Sequence, residues 1–195
     1  MPPLIEQTVL PGVLIVTPTM FRDSRGFFLQ TYQAREYREA GIHDVFVQDN
    51  LSRSCRGTLR GLHYQLRNPQ SKLVSVLSGT VLDVVVDIRR GSPSFGKWVA
   101  VELSEENRKQ LFVPKGFAHG FQVLSEYVDF AYKCGDFYAP GDEYGIRWDD
   151  PALNVGWASL PDCDAVISEK DNKLPCLANV PPEHLPTCEQ DGERP

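Results

Sequence analysis

Residues 73–88 read L-V-S-V-L-S-G-T-V-L-D-V-V-V-D-I. Two valine-rich runs, Leu73 to Leu77 and Val81 to Ile88, flank a Ser78-Gly79 break. β-branched residues fit a pleated, half-buried surface, so both runs predict strands. The second alternates imperfectly, with Asp83 and Asp87 among its valines, and its polar positions face solvent, a partner chain or a polar cavity; the pattern leaves all three open. Outward from this stretch the same grammar repeats. Val13 to Val16, Phe27 to Tyr32, Val45 to Gln48, Trp98 to Leu103, Leu111 to Val113, Phe121 to Leu124 and Val128 to Tyr132 are short apolar or alternating runs. Between them stand Pro11-Gly12, Arg90-Gly91-Ser92-Pro93, Ser104-Glu105-Glu106-Asn107 and Pro140-Gly141. Short strands separated by turn residues predict an all-β sandwich or barrel. Closure into a double-sheet jelly roll is favoured, because many short strands must hide their edges. The helical candidate is Ala34 to Ala40, ended by Gly41 and polar enough to lie on the surface.

At 195 residues the chain fits a single domain, residues 1–195, able to bury a core without disulfides or metals. From about residue 174 its character changes. Prolines at 175, 181, 182, 186 and 195 and a terminal E-Q-D-G-E-R-P predict an irregular tail that drapes or frays. The net charge of −6 argues against nucleic acid or an anionic membrane as partner, while leaving room for a local basic cluster that holds a phosphorylated small molecule. Five widely spaced cysteines without a C-x-x-C pair read as reduced thiols. The opening M-P-P-L-I-E-Q lacks the features of a signal peptide, and no window approaches the ~18 apolar residues of a membrane span. A cytoplasmic protein is the expectation.

Chemistry enters at Arg60 to Gln65, R-G-L-H-Y-Q, where a guanidinium and an imidazole interrupt a strand-like run. Lys72 and His119 interrupt two further apolar segments, and such groups are costly to bury unless they meet in a pocket. Metal is one reading. Jelly-roll proteins of the cupin type commonly bind metal through an H-x-H pair, a glutamate and a later histidine in P-x-G-x-x-H. Here Pro114, Gly116 and His119 match the later segment, but the earlier one reads His63-Tyr64-Gln65, which leaves too few ligands for a stable site. Without metal, His63 becomes a candidate general base, since imidazole titrates nearest neutral pH. The carboxylate that would orient it is not identifiable from spacing.

The chain resembles the dTDP-4-dehydrorhamnose 3,5-epimerases over roughly Ile5 to Leu177. The segments that carry the resemblance are D-S-R-G-F-F at 23–28, F-V-Q-D-N at 46–50, L-R-G-L-H-Y-Q at 59–65, V-D-I-R at 86–89, S-P-S-F-G-K-W at 92–98, P-K-G-F-A-H-G-F at 114–121 and S-E-K-D at 168–171. The resemblance implies a mainly β, cupin-type double-stranded β-helix (jelly roll) with a few short peripheral helices. It also implies a homodimeric enzyme without cofactor or metal, acting on a dTDP-sugar. Inversion beside a ketone needs a proton taken from one face of the ring and another returned to the opposite face. By resemblance His63 is the base, Asp171 the carboxylate behind it, Lys72 the group that stabilises the oxyanion at O4, and Tyr132 the proton donor. Substrate binding falls by the same route to Arg25 and Arg60 at the diphosphate and sugar, with Gln48, Asn50 and His119 nearby and Glu143 and Lys170 at the rim. Tyr138 matches the aromatic under the thymine, and Arg25 reaches the neighbouring subunit's site.

Two positions depart from the family pattern: Gln30 stands where a glutamate often touches the nucleotide, and Leu51 replaces a histidine in D-N-H-S. Epimerisation of dTDP-4-dehydro-6-deoxy-D-glucose at C3 and C5 is the leading expectation. Inversion of one centre only, in a natural-product deoxysugar pathway, and a ketoisomerase on the same sugar nucleotide are the enzymatic alternatives. A metal-dependent cupin oxygenase and a silent sugar-binding cupin are the alternatives from other classes.

Overall fold

The computed structural model describes residues 2–188. Its strands are β1 (Leu4–Gln7), β2 (Leu14–Thr17), β3 (Met20–Asp23), β4 (Gly26–Leu29), β5 (Gln48–Cys55), β6 (Thr58–Tyr64), β7 (Lys72–Ser78) and β8 (Thr80–Asp87). They continue with β9 (Trp98–Ser104), β10 (Gln110–Val113), β11 (Phe117–Val123), β12 (Tyr127–Cys134), β13 (Tyr144–Gly145) and β14 (Val166–Ile167). Two short helices, α1 (Ala34–Glu39) and α2 (Glu169–Asn172), lie at the periphery.

The strands form two facing sheets, one in the order β1-β2-β10-β7-β12-β5 and the other β13-β6-β11-β8-β9, with β14 added beside β6. The fold is the cupin-type jelly roll. Val74, Val76, Leu111 and Phe130 of the first sheet meet Val81, Val85, Phe121 and Val123 of the second in the central core. The second sheet is covered on its outer face as well, where Val84, Val86 and Ile88 pack against Leu153, Leu177, Val180 and Leu185. Burial on both faces explains why β8 is almost continuously apolar instead of cleanly alternating. On the outer face of the first sheet, Tyr37 and Ile42 pack on Leu14, Val16, Leu73 and Phe112.

Residues 174–188 lie along this outer layer, with two turns of 3-10 helix at Leu177–Asn179 and Pro182–His184 and a bridge from Thr187 to Arg90. The terminal E-Q-D-G-E-R-P falls outside the described residues. Among the described residues β3 and β4 pair only with each other, and they leave Phe21, Phe27 and Phe28 about half exposed or more.

The segment expected to be a strand at Val45 to Gln48 corrects to β5, which starts at Gln48 and runs to Cys55. Its alternation is inverted: Gln48, Asn50 and Ser52 turn inward to a cavity while Leu51 is 65% exposed. A hydrophobic-in pattern therefore cannot find it. Among the described residues no helix is long and apolar enough to cross a membrane.

Candidate active site

The open end of the jelly roll holds a cavity of about 870 Å³, within the range of small-molecule sites. Strand register stacks its inward side chains in layers. Cys134 stands opposite Gln48 and Lys72, Tyr132 opposite Asn50 and Val74, and Phe130 opposite Ser52 and Val76. The other wall is built by β6 and β11. A side chain on Gly61, at φ +119°, would lie 2.6 Å from the Gly120 Cα, so this close approach of the two strands admits only glycine. The register slips between His119 and Phe121, and His63 comes to sit opposite His119.

α2 delivers the carboxylate. Ser168 caps it by accepting the Asp171 amide at 3.0 Å, and β14 ties the preceding residues to β6. Asp171 then accepts from the His63 ring at 2.7 Å through Oδ1 and from the Gly61 amide at 3.3 Å through Oδ2. Burial pushes its carboxyl up, but the His63 hydrogen bond and charge together with the Gly61 and Ser168 contacts outweigh that, and the net shift is downward. A carboxylate held anionic fixes which imidazole nitrogen carries the proton and stabilises the protonated ring.

Across the cavity, burial raises the Tyr132 phenol, so it rests protonated at neutral pH. The Lys72 side chain has no hydrogen-bond partner among the described residues, and loss of water lowers its pKa despite the opposing pull of Cys134, Asp83 and Glu143. An ammonium in that state has strong reason to bind an incoming oxyanion.

His119 forms a second imidazole–carboxylate pair, its Nε2 lying 2.8 and 3.0 Å from the Asp83 oxygens. Of the two aspartates whose orientation the sequence left open, Asp83 turns to His119, which lines the cavity, and lies buried behind it. Asp87 instead accepts from Arg89, Ser92 and Ser94 in a closed structural cluster. Both are fully buried.

At the mouth, the Tyr138 amide donates to Gln48, whose own amide donates to Asn50. Lys170 bridges to Glu143 at 2.8 Å, and its pKa is raised by that contact. Arg60 donates through Nε to Ser54 at 3.2 Å. Of the residues singled out from sequence, eleven line this one cavity: His63, Asp171, Tyr132, Lys72, Gln48, Asn50, Arg60, His119, Tyr138, Glu143 and Lys170. Arg25 and Gln30 do not. Arg25 sits on the β3–β4 hairpin, its side chain 88% exposed and paired with Asp23, and Gln30 donates to Glu36 at 3.0 Å. The sequence reading missed Cys134, Phe121 and Phe130, which look like ordinary core or strand residues until register turns them toward the cavity, and Asp83, which is buried behind His119. Among the described residues no three His, Cys, Asp or Glu side chains converge as a metal shell requires.

A family model described as dTDP-4-dehydrorhamnose 3,5-epimerase matches residues 7–179. The chain belongs to the dTDP-4-dehydrorhamnose 3,5-epimerase family. A member of this family from Pseudomonas aeruginosa is 54% identical over 172 residues, covering 88% of this chain and 94% of that protein. A crystal structure of the Legionella pneumophila dTDP-6-deoxy-D-glucose-3,5-epimerase, in complex with dTDP-4-keto-L-rhamnose, superposes with a TM-score of 0.93 at 49% identity, over 96% of this chain and 100% of that one. A 3'-monoepimerase from Streptomyces bikiniensis, in complex with dTDP-quinovose, follows at a TM-score of 0.85 and 31% identity, over 96% of this chain and 93% of that one. The solved structures that this chain resembles thus include one described as a 3,5-epimerase and one described as a 3'-monoepimerase.

Proposed function

We propose that this chain converts dTDP-4-dehydro-6-deoxy-D-glucose to dTDP-4-dehydro-L-rhamnose by epimerisation at C3 and C5. The observation that carries the reading is the 2.7 Å His63–Asp171 contact in the same cavity as the unpaired Lys72 and the protonated Tyr132. His63 takes the proton from the carbon beside the ketone, and Asp171 stabilises the imidazolium. The electron pair flows to O4, where the Lys72 ammonium meets the developing charge. Tyr132 gives its phenolic proton to the opposite face of the same carbon. Water reprotonates the phenolate and removes the imidazolium proton, so the cycle closes without net transfer and repeats at the second carbon.

Arg60 holds the diphosphate, with Gln48, Asn50 and His119 around the sugar and nucleotide, Glu143 and Lys170 at the rim, and Tyr138 under the thymine. The exposed β3–β4 hairpin fits a homodimer in which Arg25 reaches the neighbouring site, with Gln30 beside it. Reduced cysteines fit a cytoplasmic enzyme. Inversion of one centre is the second reading, favoured by the likeness to the 3'-monoepimerase; the higher identity to 3,5-epimerases weighs against it.

Incubation with the 6-deoxy-4-keto sugar nucleotide in heavy water tests the assignment. Deuterium at both C3 and C5 is expected, and label at one carbon selects the single-centre reading. His63→Ala should lose exchange at both carbons by roughly 10²–10⁴-fold. Near-normal exchange in that variant would remove His63 as the base.

A further inference from the structure

Of the ionisable groups buried between the two sheets, Asp83 has no part in the reaction proposed above. It stands on the inner face of β8 between Val81 and Val85 of the central core and is 0% exposed. Both of its oxygens lie within hydrogen-bond reach of one ring nitrogen, His119 Nε2, at 2.8 and 3.0 Å. Lys72 stands on the inner face of β7, in line with Val74 and Val76. It makes no hydrogen bond or ion pair among the described residues, and burial favours its neutral amine against the pull of Cys134, Asp83 and Glu143. Of those three, burial raises the Cys134 thiol, which is therefore uncharged at neutral pH, as is the Tyr132 phenol beside it on β12. Glu143 is 41% exposed and paired with Lys170, so water and a second cation weaken its field. Asp171 on α2 is held by His63. Arg60, His63 and His119, which face the cavity from β6 and β11, are cations or neutral rings and supply no negative charge. Asp83 is the anion that remains.

Resting on the activity proposed above, we infer that Asp83 is a positioning residue for the reaction: its buried charge keeps Lys72 an ammonium, while His119, by engaging both carboxylate oxygens, keeps Asp83 from bonding that ammonium itself. A buried ammonium with no counter-charge sheds its proton, and a neutral amine is a weak support for the charge developing at O4. A carboxylate in direct contact would restore the charge but hold the ammonium, and the oxyanion would have to compete with it. Coulombic attraction falls off slowly with distance in a low dielectric, whereas a hydrogen bond is lost within a fraction of an ångström beyond its reach. An anion held on His119 therefore supplies the charge and leaves the Lys72 N–H donors to the substrate. The coupling is visible from the other side as well: burial pushes the Asp83 carboxyl up, and His119 and Lys72 are the groups that resist it.

The test reads Lys72 in two ways. In protein carrying 13C-labelled lysine, with the Lys72 Cε resonance assigned by its loss in Lys72→Met, wild type should show a charged Lys72 at neutral pH, and Asp83→Asn should move its titration midpoint down by about one pH unit or more. The second reading is the pH profile of kcat/KM for deuterium incorporation into the 4-keto sugar nucleotide in heavy water. Asp83→Asn should draw the alkaline limb down by the same interval, about tenfold in rate for each unit, and leave the acid limb of His63 in place. An unmoved Lys72 midpoint, or a loss of rate that is equal at every pH, would reduce Asp83 to a prop for His119 and overturn the inference. Should Asp83→Asn not fold, wild type alone decides, because a Lys72 already neutral at neutral pH overturns it. Absence of label with wild type is a different result: it would remove the proposed activity, and the role of Asp83 with it, whatever the titration shows.

Discussion

At the scale of single residues, the proposed catalytic groups pull stability in opposite directions. The lowered pKa of Lys72 means that the folded chain holds this proton less tightly than the unfolded one. Its burden on stability is therefore present at neutral pH and fades as pH rises toward the ordinary lysine value of about 10.4. Lys72→Met should lower kcat by roughly 10²–10³-fold, the cost of removing one oxyanion donor, yet leave Tm unchanged or higher at pH 7 in a thermal melt. A large fall in Tm would show that Lys72 stabilises the fold. Asp171 behaves oppositely. Its lowered pKa contributes stability that is fully present above about 3.9 and is lost as pH falls through the folded value. Asp171→Asn should thus melt below wild type at pH 7, and the gap should close in the acid limb below pH 4, as a series of melts would reveal. Tyr132→Phe removes only the donor hydroxyl: exchange of the abstracted proton should survive, while net epimer formation drops by roughly 10²–10⁴-fold.

At the scale of elements, the walls of the site are joined by a few buried polar groups. Asp142, nearly buried, accepts the amides of Leu66, Arg67 and Asn68 at 2.7 to 3.3 Å. It thereby ties the turn after β6 to the segment before β13. Gln65 and Gln70 on one side and Glu143 on the other reach the cavity from these two segments. Asp142→Ala would orphan a run of amides, at about 1–3 kcal/mol for a buried unsatisfied group. Measured kinetics should show KM raised more than kcat is lowered, because Asp142 is absent from the cavity lining while the wall it anchors loosens. Ser54 plays a smaller part of the same kind, holding the Arg60 Nε and leaving the rest of the guanidinium directed to the site.

At the scale of the whole molecule, the outer layer over the second sheet depends on the C-terminal segment. Leu177, Val180 and Leu185 are each less than 10% exposed and complete the packing begun by Val84, Val86 and Ile88. The prolines that made the segment look irregular stop it from forming a long helix or strand, and they do not keep it from packing. Leu185→Ala should cost about 2–5 kcal/mol in chemical denaturation, although the residue is remote in sequence from every proposed catalytic group. The proposed dimer is tested by mixing. Co-expressed Arg25→Ala and His63→Ala chains should regain activity that neither variant has alone, because one site of the mixed dimer then holds an intact His63 and an Arg25 from its neighbour. No complementation would place Arg25 in its own chain's business or outside the reaction.

Composition and local pattern were enough to determine the β class, the surface helix and the valine-rich strands, because each depends on neighbours a few residues away. Motif likeness pointed to His63, Lys72, Tyr132 and Asp171 and set Asp171 behind His63, a pairing that spacing alone could not find. Only the tertiary structure decided that an aspartate 108 residues from His63 lies 2.7 Å from its ring, and that Asp83 turns to His119 while Asp87 turns to Arg89. It also decided that β5 turns its amides inward and its Leu51 outward. The physical reason is the same in each case: alternation along a strand reports which residues share a face, but what that face meets is set by strand pairing and by the packing of the two sheets, and these join segments that the chain keeps far apart.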